Sequence, residues 1–375
     1  MTLASDKSTW TKVKFGAVID SITKRIDNPS DAGVDRYVGL EHLDPGTMVI
    51  SRWGTPDQVE ATKLLFEEGD VIFGRRRAYQ RKVSMADFSG ICSAHALVLR
   101  AKPGLINPLF LPVFLSSDTF LDRAIKISVG SLSPTVNWKT LATQEFLLPP
   151  IEEQEKIAST LWSVESHLSN LANLRRNIAS LQQLFLNERV ISSELEGKRV
   201  NFADVGNFQN GYPFKPADLK GSKLPVIRIK QLLDADDKPD FTDLVVDKDF
   251  HISDGDIIFS WSATLAVKVW TRGAAILNQH LYKVTALADI NPDWLRLVLE
   301  ASIPALKEKS HGTTMQHITK KALLAHQITL PSEDLLKRML IDWNALLNAI
   351  SAVDKEIESV ARLRKSLLGV LSEVY

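Results

Sequence analysis

The pentapeptide Gly69–Phe73 (GDVIF) returns almost unchanged as Gly255–Phe259 (GDIIF), 186 residues later (255 minus 69). A second pair of matching stretches follows in the same order, Ile91–His95 and Ile276–His280. A solenoid repeats with a period of only about 20–50 residues, so a separation of this size indicates two whole domains. Two similar but non-identical domains on one chain suit a target that is itself in two parts.

The composition is that of an ordinary folded protein. The 375 residues are enough for two or three domains, and 45% of them are hydrophobic, so sizeable cores are expected. No run approaches the roughly 18 apolar residues of a membrane-spanning helix, and Met1–Lys7 lacks a secretory signal pattern. The single cysteine, Cys92, excludes an intrachain disulfide and fits a reducing cytoplasm, which is the expected location. The net charge of zero argues against indiscriminate binding to nucleic acid.

Each pentapeptide lies in a segment rich in short β-type runs, and each segment leads into a long amphipathic helix. The sequence therefore predicts an α+β fold, in which two tandem domains of mixed α/β type are separated by two long helices. The predicted segments are 1–150 (first mixed domain), 151–198 (central helix), 199–331 (second mixed domain) and 332–375 (C-terminal helix). The expected strands are Val13–Val18, Tyr37–Leu40, Val71–Phe73 and Ala96–Arg100, then Val200–Val205, Val226–Ile229, Ile257–Ser260 and Leu281–Thr285.

Apolar residues in both predicted helices follow the alternating four–three spacing of a coiled-coil seam. One track of the second helix is broken only at Arg364. A single helix of this length would leave its apolar stripe in water, so the two helices are expected to pair as an antiparallel coiled coil. Separate dimerisation of each helix is the alternative. The seam residues are Ile157, Leu161, Val164, Leu168, Leu171, Ile178 and Phe185 in the first helix, and Leu336, Met339, Trp343, Leu346, Ile350, Val353, Ile357, Val360, Leu367 and Val374 in the second.

Catalytic and metal-binding motifs are scarce. The chain has no phosphate-binding loop and no Gly-x-Gly-x-x-Gly fingerprint, and Cys92 with His95 is weak evidence for a four-ligand zinc site. His95 and His280 occupy matching places in the two copies, where each is either a structural histidine at a strand edge or a polar contact to a substrate. The stretch Asn107–Phe110 (NPLF) is similar to a methyltransferase signature but is interpreted as a turn before an apolar segment.

The loops that follow the repeated strands differ completely between the two copies. Residues 74–82 are strongly basic, whereas residues 260–264 are small, polar and aromatic. A second pair of unlike loops follows at residues 131–135 and 311–317. A common frame with different loops is typical of two reading heads, since Arg can bridge guanine O6 and N7, Gln can pair with adenine, and Ser or Thr contact several bases. The alternative is that these are ordinary solvated loops, because surface loops of any kind are polar. The candidate DNA contacts are Arg75, Arg76, Arg77, Tyr79, Arg81, Lys82, Ser131 and Ser133 in the first domain, and Trp261, Ser262, Thr264, Thr313, Thr314, Gln316 and His317 in the second.

The residues that carry a family resemblance extend over the whole chain. They include Tyr37–Leu43, Gly69–Lys82, Ile91–Leu99, the helix opening Leu148–Gln154 (LPPIEEQ) and Asn278–Leu281. With these stretches the sequence resembles the specificity subunit of a type I restriction–modification system. The second copy departs from the pattern, since Leu330–Glu333 has one proline and lacks the Glu-Gln pair.

The resemblance implies that the two mixed domains are target-recognition domains, each reading one half of a split, asymmetric DNA sequence. It also implies two methyltransferase subunits and two restriction (translocase–nuclease) subunits as partners, with S-adenosylmethionine, ATP and Mg²⁺ used by those partners. This chain is then expected to hold no cofactor, no metal and no catalytic residue. Two alternatives stay open: the specificity partner of another methylation-based defence system, and a coiled-coil scaffold whose domains bind proteins and not DNA.

Overall fold

The computed structural model of the chain describes residues 7–192, 195–308 and 317–371. The chain divides into two compact units, one within residues 1–174 and 353–375 and one within residues 175–352. Each unit therefore combines a mixed α/β part with segments of both long helices. None of the helices in the described ranges is both long enough and apolar enough to cross a membrane.

The first unit contains two four-stranded sheets, a two-stranded ladder and four short helices before the first long helix. Its strands are β1 (Thr11–Lys14), β2 (Ile19–Ile22), β3 (Arg25–Ile26), β4 (Tyr37–Val38), β5 (Lys63–Phe66), β6 (Val71–Phe73), β7 (Val83–Met85), β8 (Gly90–Ser93), β9 (Leu97–Ala101) and β10 (Glu145–Leu148). Its helices are α1 (Phe15–Val18), α2 (Phe110–Leu115), α3 (Asp118–Lys126), α4 (Trp138–Ala142) and α5 (Ile151–Phe185), which continues into the second unit.

The second unit repeats this architecture. Its strands are β11 (Gly197–Asn201), β12 (Gly206–Asn210), β13 (Leu224–Ile227), β14 (Asp240–Thr242), β15 (His251–Ile252), β16 (Ile257–Ser260), β17 (Ala266–Val269), β18 (Ala275–Leu277), β19 (Leu281–Ala286) and β20 (Gln327–Pro331). Its helices are α6 (Ile229–Leu233), α7 (Pro292–Ala301), α8 (Ile303–Glu308), α9 (Lys320–Leu324) and α10 (Glu333–Leu368), which continues into the first unit.

The strand order confirms the internal repeat. One sheet runs β2-β9-β6-β7 in the first unit and β12-β19-β16-β17 in the second, and the ladders β1-β10 and β11-β20 correspond as well. The other sheet shares a three-stranded centre, β5-β8-β4 and β15-β18-β13, each with one parallel pair. The fourth strand differs, since β3 pairs with β5 whereas β14 pairs with β13. The two copies thus share a frame and add their extra strand at opposite edges.

The expected strands Val13–Val18 and Val200–Val205 are wrong in the same way in both copies. In the first unit β1 ends at Lys14, and α1 turns the chain so that Phe15 is buried before β2 begins. In the second unit β11 ends at Asn201, and a 3-10 turn buries Phe202 before β12 begins. A helical turn is needed at this point because the chain leaves the two-stranded ladder and enters the four-stranded sheet.

The helix opening is tied to the first core by one buried amide. Gln154 is 2% exposed, accepts a hydrogen bond from the backbone N–H of Asn107 (2.8 Å) and donates one to the carbonyl of Pro149 (2.8 Å). The Asn107 side chain in turn accepts from the N–H groups of Leu109 and Phe110. The stretch Asn107–Phe110 is therefore a turn that starts a buried helix, as the sequence predicts.

The two long helices pack against each other along the predicted seam, in antiparallel directions. In the first unit Glu165 of α5 pairs with Arg364 of α10, and in the second unit the rings of Phe185 and Trp343 lie 5.7 Å apart. A π-helical turn, Leu186–Val190, extends α5 into the second core. The helical segment ends at Val190, before the end of the segment 151–198 predicted for the central helix. The coiled coil of the predicted fold is confirmed, except at Val374, which lies outside the described residues.

Candidate nucleic-acid interface

The loop after β6 is closed and rigidly shaped. The N–H of Gly74 donates to the carbonyl of Lys82 (2.9 Å), and a 3-10 turn with buried Ala78 fills the interior of the loop. Arg77 and Arg81, on either side of this turn, both adopt left-handed backbone conformations, with φ of 57° and 54°. Non-glycine residues rarely adopt this conformation, and where they do the surrounding structure fixes it. The basic side chains are therefore attached to a backbone of defined conformation.

This basic loop pairs with the second loop predicted for the first domain. Arg76 and Thr135 form an antiparallel bridge, the N–H of Arg77 donates to the carbonyl of Pro134 (2.7 Å), and the N–H of Val136 donates to the carbonyl of Arg75 (2.9 Å). The sequence predicts both loops but gives no sign that they are in contact. We call the joined loops, residues 74–82 and 131–135, the first head.

Two arginines of the first head are oriented by the same serine. The Oγ of Ser133 accepts from Nη2 of Arg76 (3.4 Å) and from Nε of Arg77 (3.3 Å). Nη1 of Arg76 also lies 3.4 Å from Nε2 of His95. Ser131 and Tyr79 are exposed, with Tyr79 at 52% of its full area, so its ring is available for stacking. The sequence allows His95 to be either a structural histidine or a polar contact to a substrate. In the structure its ring lies beside Arg76, a predicted DNA contact.

Arg81 and Lys82 are engaged by the protein itself. The guanidinium of Arg81 pairs with Asp118 and with Asp122 (2.8 Å) on α3, and Nζ of Lys82 donates to the carbonyl of Leu40. Because the negative charges of two carboxylates surround this guanidinium, the cluster attracts a phosphate less than a free arginine would. We therefore expect Arg76 and Arg77 to contribute more to DNA binding than Arg81 and Lys82. All four contacts remain predictions.

The second head is built on the same backbone pattern. Ser262 bridges His317 in antiparallel fashion, and the N–H of Ile318 donates to the carbonyl of Trp261 (3.1 Å). Ala263 has a φ of 57°, the value found at Arg77, which it matches after the 186-residue shift (263 minus 77). We call residues 260–264 with His317 the second head. The two heads thus share one left-handed position, Arg77 in the first and Ala263 in the second.

The second head has no Lys, Arg, Asp or Glu side chain among residues 260–264 and 317. The indole of Trp261 packs against the rings of His280 (5.7 Å) and Tyr282 (5.9 Å), and its Nε1 donates to the carbonyl of Gln279 (3.3 Å). Ser262 is 6% exposed, so little of its surface is open to a contact with DNA. Two of the predicted contacts, Thr264 and His317, are exposed, whereas Thr313, Thr314 and Gln316 lie outside the described residues.

No metal-binding cluster of three or more His, Cys, Asp or Glu side chains occurs in residues 7–192, 195–308 and 317–371. Cys92 is fully buried and its pKa is raised, chiefly by that burial, so its thiol is not ionised at neutral pH. Lys63 is buried, and its Nζ donates to the backbone carbonyls of Glu60 and of Ala61 (2.8 Å).

The environment of His95 gives a pH prediction. Partial burial lowers its pKa below the usual 6.5, and the charges of Arg76 and Arg75 lower it further. The neutral ring is therefore the state that can accept a hydrogen bond from Arg76 at pH 7. The unfolded chain takes up the proton at higher pH than the folded one, so this site favours folding above pH 6.5 and loses that contribution as pH falls through the lowered pKa. We expect NMR titration to place the pKa of His95 below 6.5, with the signal assigned by His95→Gln.

Substitution of Arg76 is the internal control for that titration. Arg76→Ser removes one of the two cations that lower the pKa of His95, so the pKa should rise toward 6.5. Arg362→Ser, which removes an exposed cation on α10, should leave it unchanged. A His95 pKa at or above 6.5 in the unaltered chain would contradict the contact between His95 and Arg76.

The protein has two like domains, each with a pair of bridged loops that carry different side chains, and two long helices that pair as a coiled coil. This architecture defines a recognition protein with two heads. The family model for the type I restriction modification DNA specificity domain matches residues 7–179 and 196–339. The chain belongs to this family.

Comparisons with individual proteins agree with this assignment. The type I restriction enzyme EcoDI specificity subunit of Escherichia coli is 29% identical over 157 residues, which are 41% of this chain and 34% of that protein, so the chain spans about a third of the length of this curated relative. A chain in a solved structure of the type I R-M system, from work on its complex assembly and conformational transition, has a TM-score of 0.64 at 20% identity and covers 97% of each chain. The type I restriction-modification S subunit of M. genitalium has a TM-score of 0.58 at 15% identity, covering 100% of this chain and 99% of that one. These two structures share the fold.

Proposed function

We propose that this chain is the non-catalytic DNA specificity subunit of a type I restriction–modification complex, and that each head reads one half of a bipartite, asymmetric target. The observation that carries the proposal is the equivalence of the two heads. The same two-loop bridge and the same left-handed residue recur in both domains, whereas Arg76 and Arg77 are replaced by Ser262 and Ala263. A scaffold that conserves backbone geometry and exchanges side chains is suited to reading two different sequences.

The chemistry of each head supports a different half-site. In the first head Arg76 and Arg77 can present paired N–H groups to guanine O6 and N7 or to phosphates, with Ser133 holding both guanidinium groups. In the second head the exposed residues Thr264 and His317 offer a hydroxyl and an imidazole in place of guanidinium groups. Heads with such different side chains would suit a target that is not a palindrome.

The partners follow from the same proposal. Two methyltransferase subunits would act on adenines of the two half-sites, and two restriction subunits would supply translocation and cleavage. S-adenosylmethionine, ATP and Mg²⁺ would be used by those subunits, with the complex acting on DNA in the cytoplasm. The solved structure with a TM-score of 0.64 comes from work on complex assembly in the type I R-M system. A net charge of zero agrees with a chain that leaves much of the phosphate contact to partners.

Mapping methylated adenines genome-wide, in cells with and without this chain, tests the proposal. We expect one two-part motif that disappears entirely when the chain is removed and returns when it is restored. Replacing residues 75–77 with the tripeptide of the second head (Trp-Ser-Ala) should change or abolish methylation through the first half only. A motif that survives removal of the chain would refute the proposed function, and a motif without a co-purifying restriction subunit would indicate a different methylation-based system.

A further inference from the structure

A cleft of about 280 Å³ opens beside the first head, lined by residues from both sheets of the first unit. Its lining combines aliphatic residues with polar ones, and it includes Arg75 and Trp138. The aliphatic residues are Ile22, Leu64 and Leu97, and the polar ones are Ser21, Thr23, Arg25 and Thr62. Sites for drug-sized ligands occupy about 300–1,000 Å³, so this cleft suits a smaller molecule. None of the DNA contacts predicted from sequence other than Arg75 lines it.

The guanidinium of Arg75 has an unused donor in this region. Its Nε is buried and has no hydrogen-bond partner within the described part of the chain. The residue cannot easily move away, because its carbonyl accepts from the N–H of Val136 (2.9 Å) in the bridge of the first head. Buried donors are nearly always paired in folded proteins, since an unpaired one loses the hydrogen bonds it made to water. The terminal nitrogens of the same guanidinium also have no partner among the described residues but are not buried, so they can donate to an oxygen of a ligand in the cleft.

Trp138 gives the cleft an aromatic wall. It is the first residue of α4, whose start is capped by the side chain of Asn137, so its backbone position is fixed. One side of the indole packs edge-on against Phe15, with ring centroids 5.9 Å apart, while the residue also lines the cleft. A flat ring entering the cleft can stack on this indole, and base–aromatic stacking tolerates every base because each has a π-face.

Both key residues are exchanged in the second domain. The 186-residue shift puts Trp261 at the place of Arg75, and the 182-residue shift of the other loop (318 minus 136) puts Lys320 at the place of Trp138. Trp261 packs on Tyr282, and Nζ of Lys320 lies 5.8 Å from the centroid of the same ring. Among the described residues, the combination of a guanidinium without a partner and an indole that lines a cleft therefore belongs to the first domain.

We propose that this cleft binds a nucleobase: a flat ring stacked on Trp138, with a carbonyl oxygen accepting from the terminal N–H groups of Arg75. The inference rests on the proposed function, which brings DNA to the adjoining head. Two sources supply such a ring, a base turned out of the bound duplex or a free mononucleotide. Turning out a base costs its stacking and pairing, which the cleft would partly restore.

Two arms of one experiment distinguish the sources, using the full chain and a duplex of its mapped target. In the first arm an abasic nucleotide is placed opposite each base of the first half in turn. At one position the chain should bind at least fivefold more tightly, because pairing no longer opposes extrusion. In the second arm each of the four deoxynucleoside monophosphates is titrated by calorimetry. Saturable binding there identifies a free nucleotide as a ligand.

Matched variants decide whether the cleft is responsible. Ala94→Phe fills the mouth from an exposed lining residue and should remove the effect in either arm, and Arg75→Gln should weaken it at least tenfold. Ala17→Phe, on an exposed face of α1, should preserve it, and thermal melting checks that all three variants fold. Absence of both effects in a chain that still prefers its target would overturn the cleft proposal alone. A chain without target preference would overturn the proposed function, and the mononucleotide arm would then decide the cleft.

Discussion

Arg76→Ser and Arg77→Ala, each copying the residue at the equivalent place in the other head, should weaken binding to the target by about 1–3 kcal/mol apiece, where each 1.4 kcal/mol is a tenfold change in affinity. The chain itself shows that the backbone tolerates these residues. Ser262 and Ala263 occupy the equivalent positions, and Ala263 has the same φ of 57° as Arg77. Loss of binding would therefore report the missing guanidinium groups and not a distorted loop.

Competition binding at several salt concentrations assigns each arginine to a base or to a phosphate. Loss of a base contact should relax the sequence preference at one position of the first half, whereas loss of a phosphate contact should weaken all sequences alike and reduce the salt slope by about 1. Arg362→Ala, an exposed arginine on α10, is the control and should bind as the unaltered chain does. If both head variants keep full affinity and preference, the basic loop is not the reader.

The frame of this protein could be predicted from its sequence because it is written twice. The repeated pentapeptide locates the strands β6 and β16, and the four–three spacing locates the seam, whose members Met339, Trp343, Val353 and Val360 are buried. Local patterns of this kind follow from periodicity, which depends only on neighbouring residues. The strand assignments fail where the chain changes sheets, at Phe15 and Phe202, because that change depends on partners far away in the sequence.

The heads were predictable as loops but not as sites. The sequence predicts Arg76 and Ser133, which lie 57 residues apart, as DNA contacts. It does not indicate that Ser133 accepts a hydrogen bond from the guanidinium of Arg76. Comparison of the two copies could have indicated this contact, because both loops differ between the copies while the strands around them are alike. Left-handed residues at Arg77 and Ala263 leave no such signal, because neither arginine nor alanine favours that conformation.

Arg364 is the one polar residue in its seam track, and the structure explains it. Its Nε donates to Oε2 of Glu165 (2.9 Å), and both side chains are only 12% exposed. The other oxygen of Glu165 accepts from the N–H of Met48 (2.8 Å), so one carboxylate joins both helices to the first mixed domain. Nη2 of Arg364 is buried without a partner among the described residues, which adds to the cost of keeping this pair. A polar pair inside an apolar seam is best known for fixing helix register.

Arg364→Leu should therefore destabilise the first unit, although it completes the apolar track. Removing one member of a buried ion pair leaves the other charge uncompensated, and costs about 3–5 kcal/mol. Adding Glu165→Gln should recover much of this loss, because glutamine carries no charge and still accepts from the N–H of Met48. Urea unfolding of the two single variants and the double variant gives the coupling energy directly.

Arg362→Leu provides the matched control, since the same substitution two residues away removes only an exposed contact with Glu358 (3.9 Å). Such surface pairs contribute about 0–1 kcal/mol, so its unfolding should change little. If Arg364→Leu alone proved as stable as the unaltered chain, the carboxylate of Glu165 would not depend on its partner, and the apolar seam alone would set the helix pairing. If the double variant kept its stability but lost target preference, the pair would instead act by holding the first mixed domain, through Met48, in the register that the first head requires.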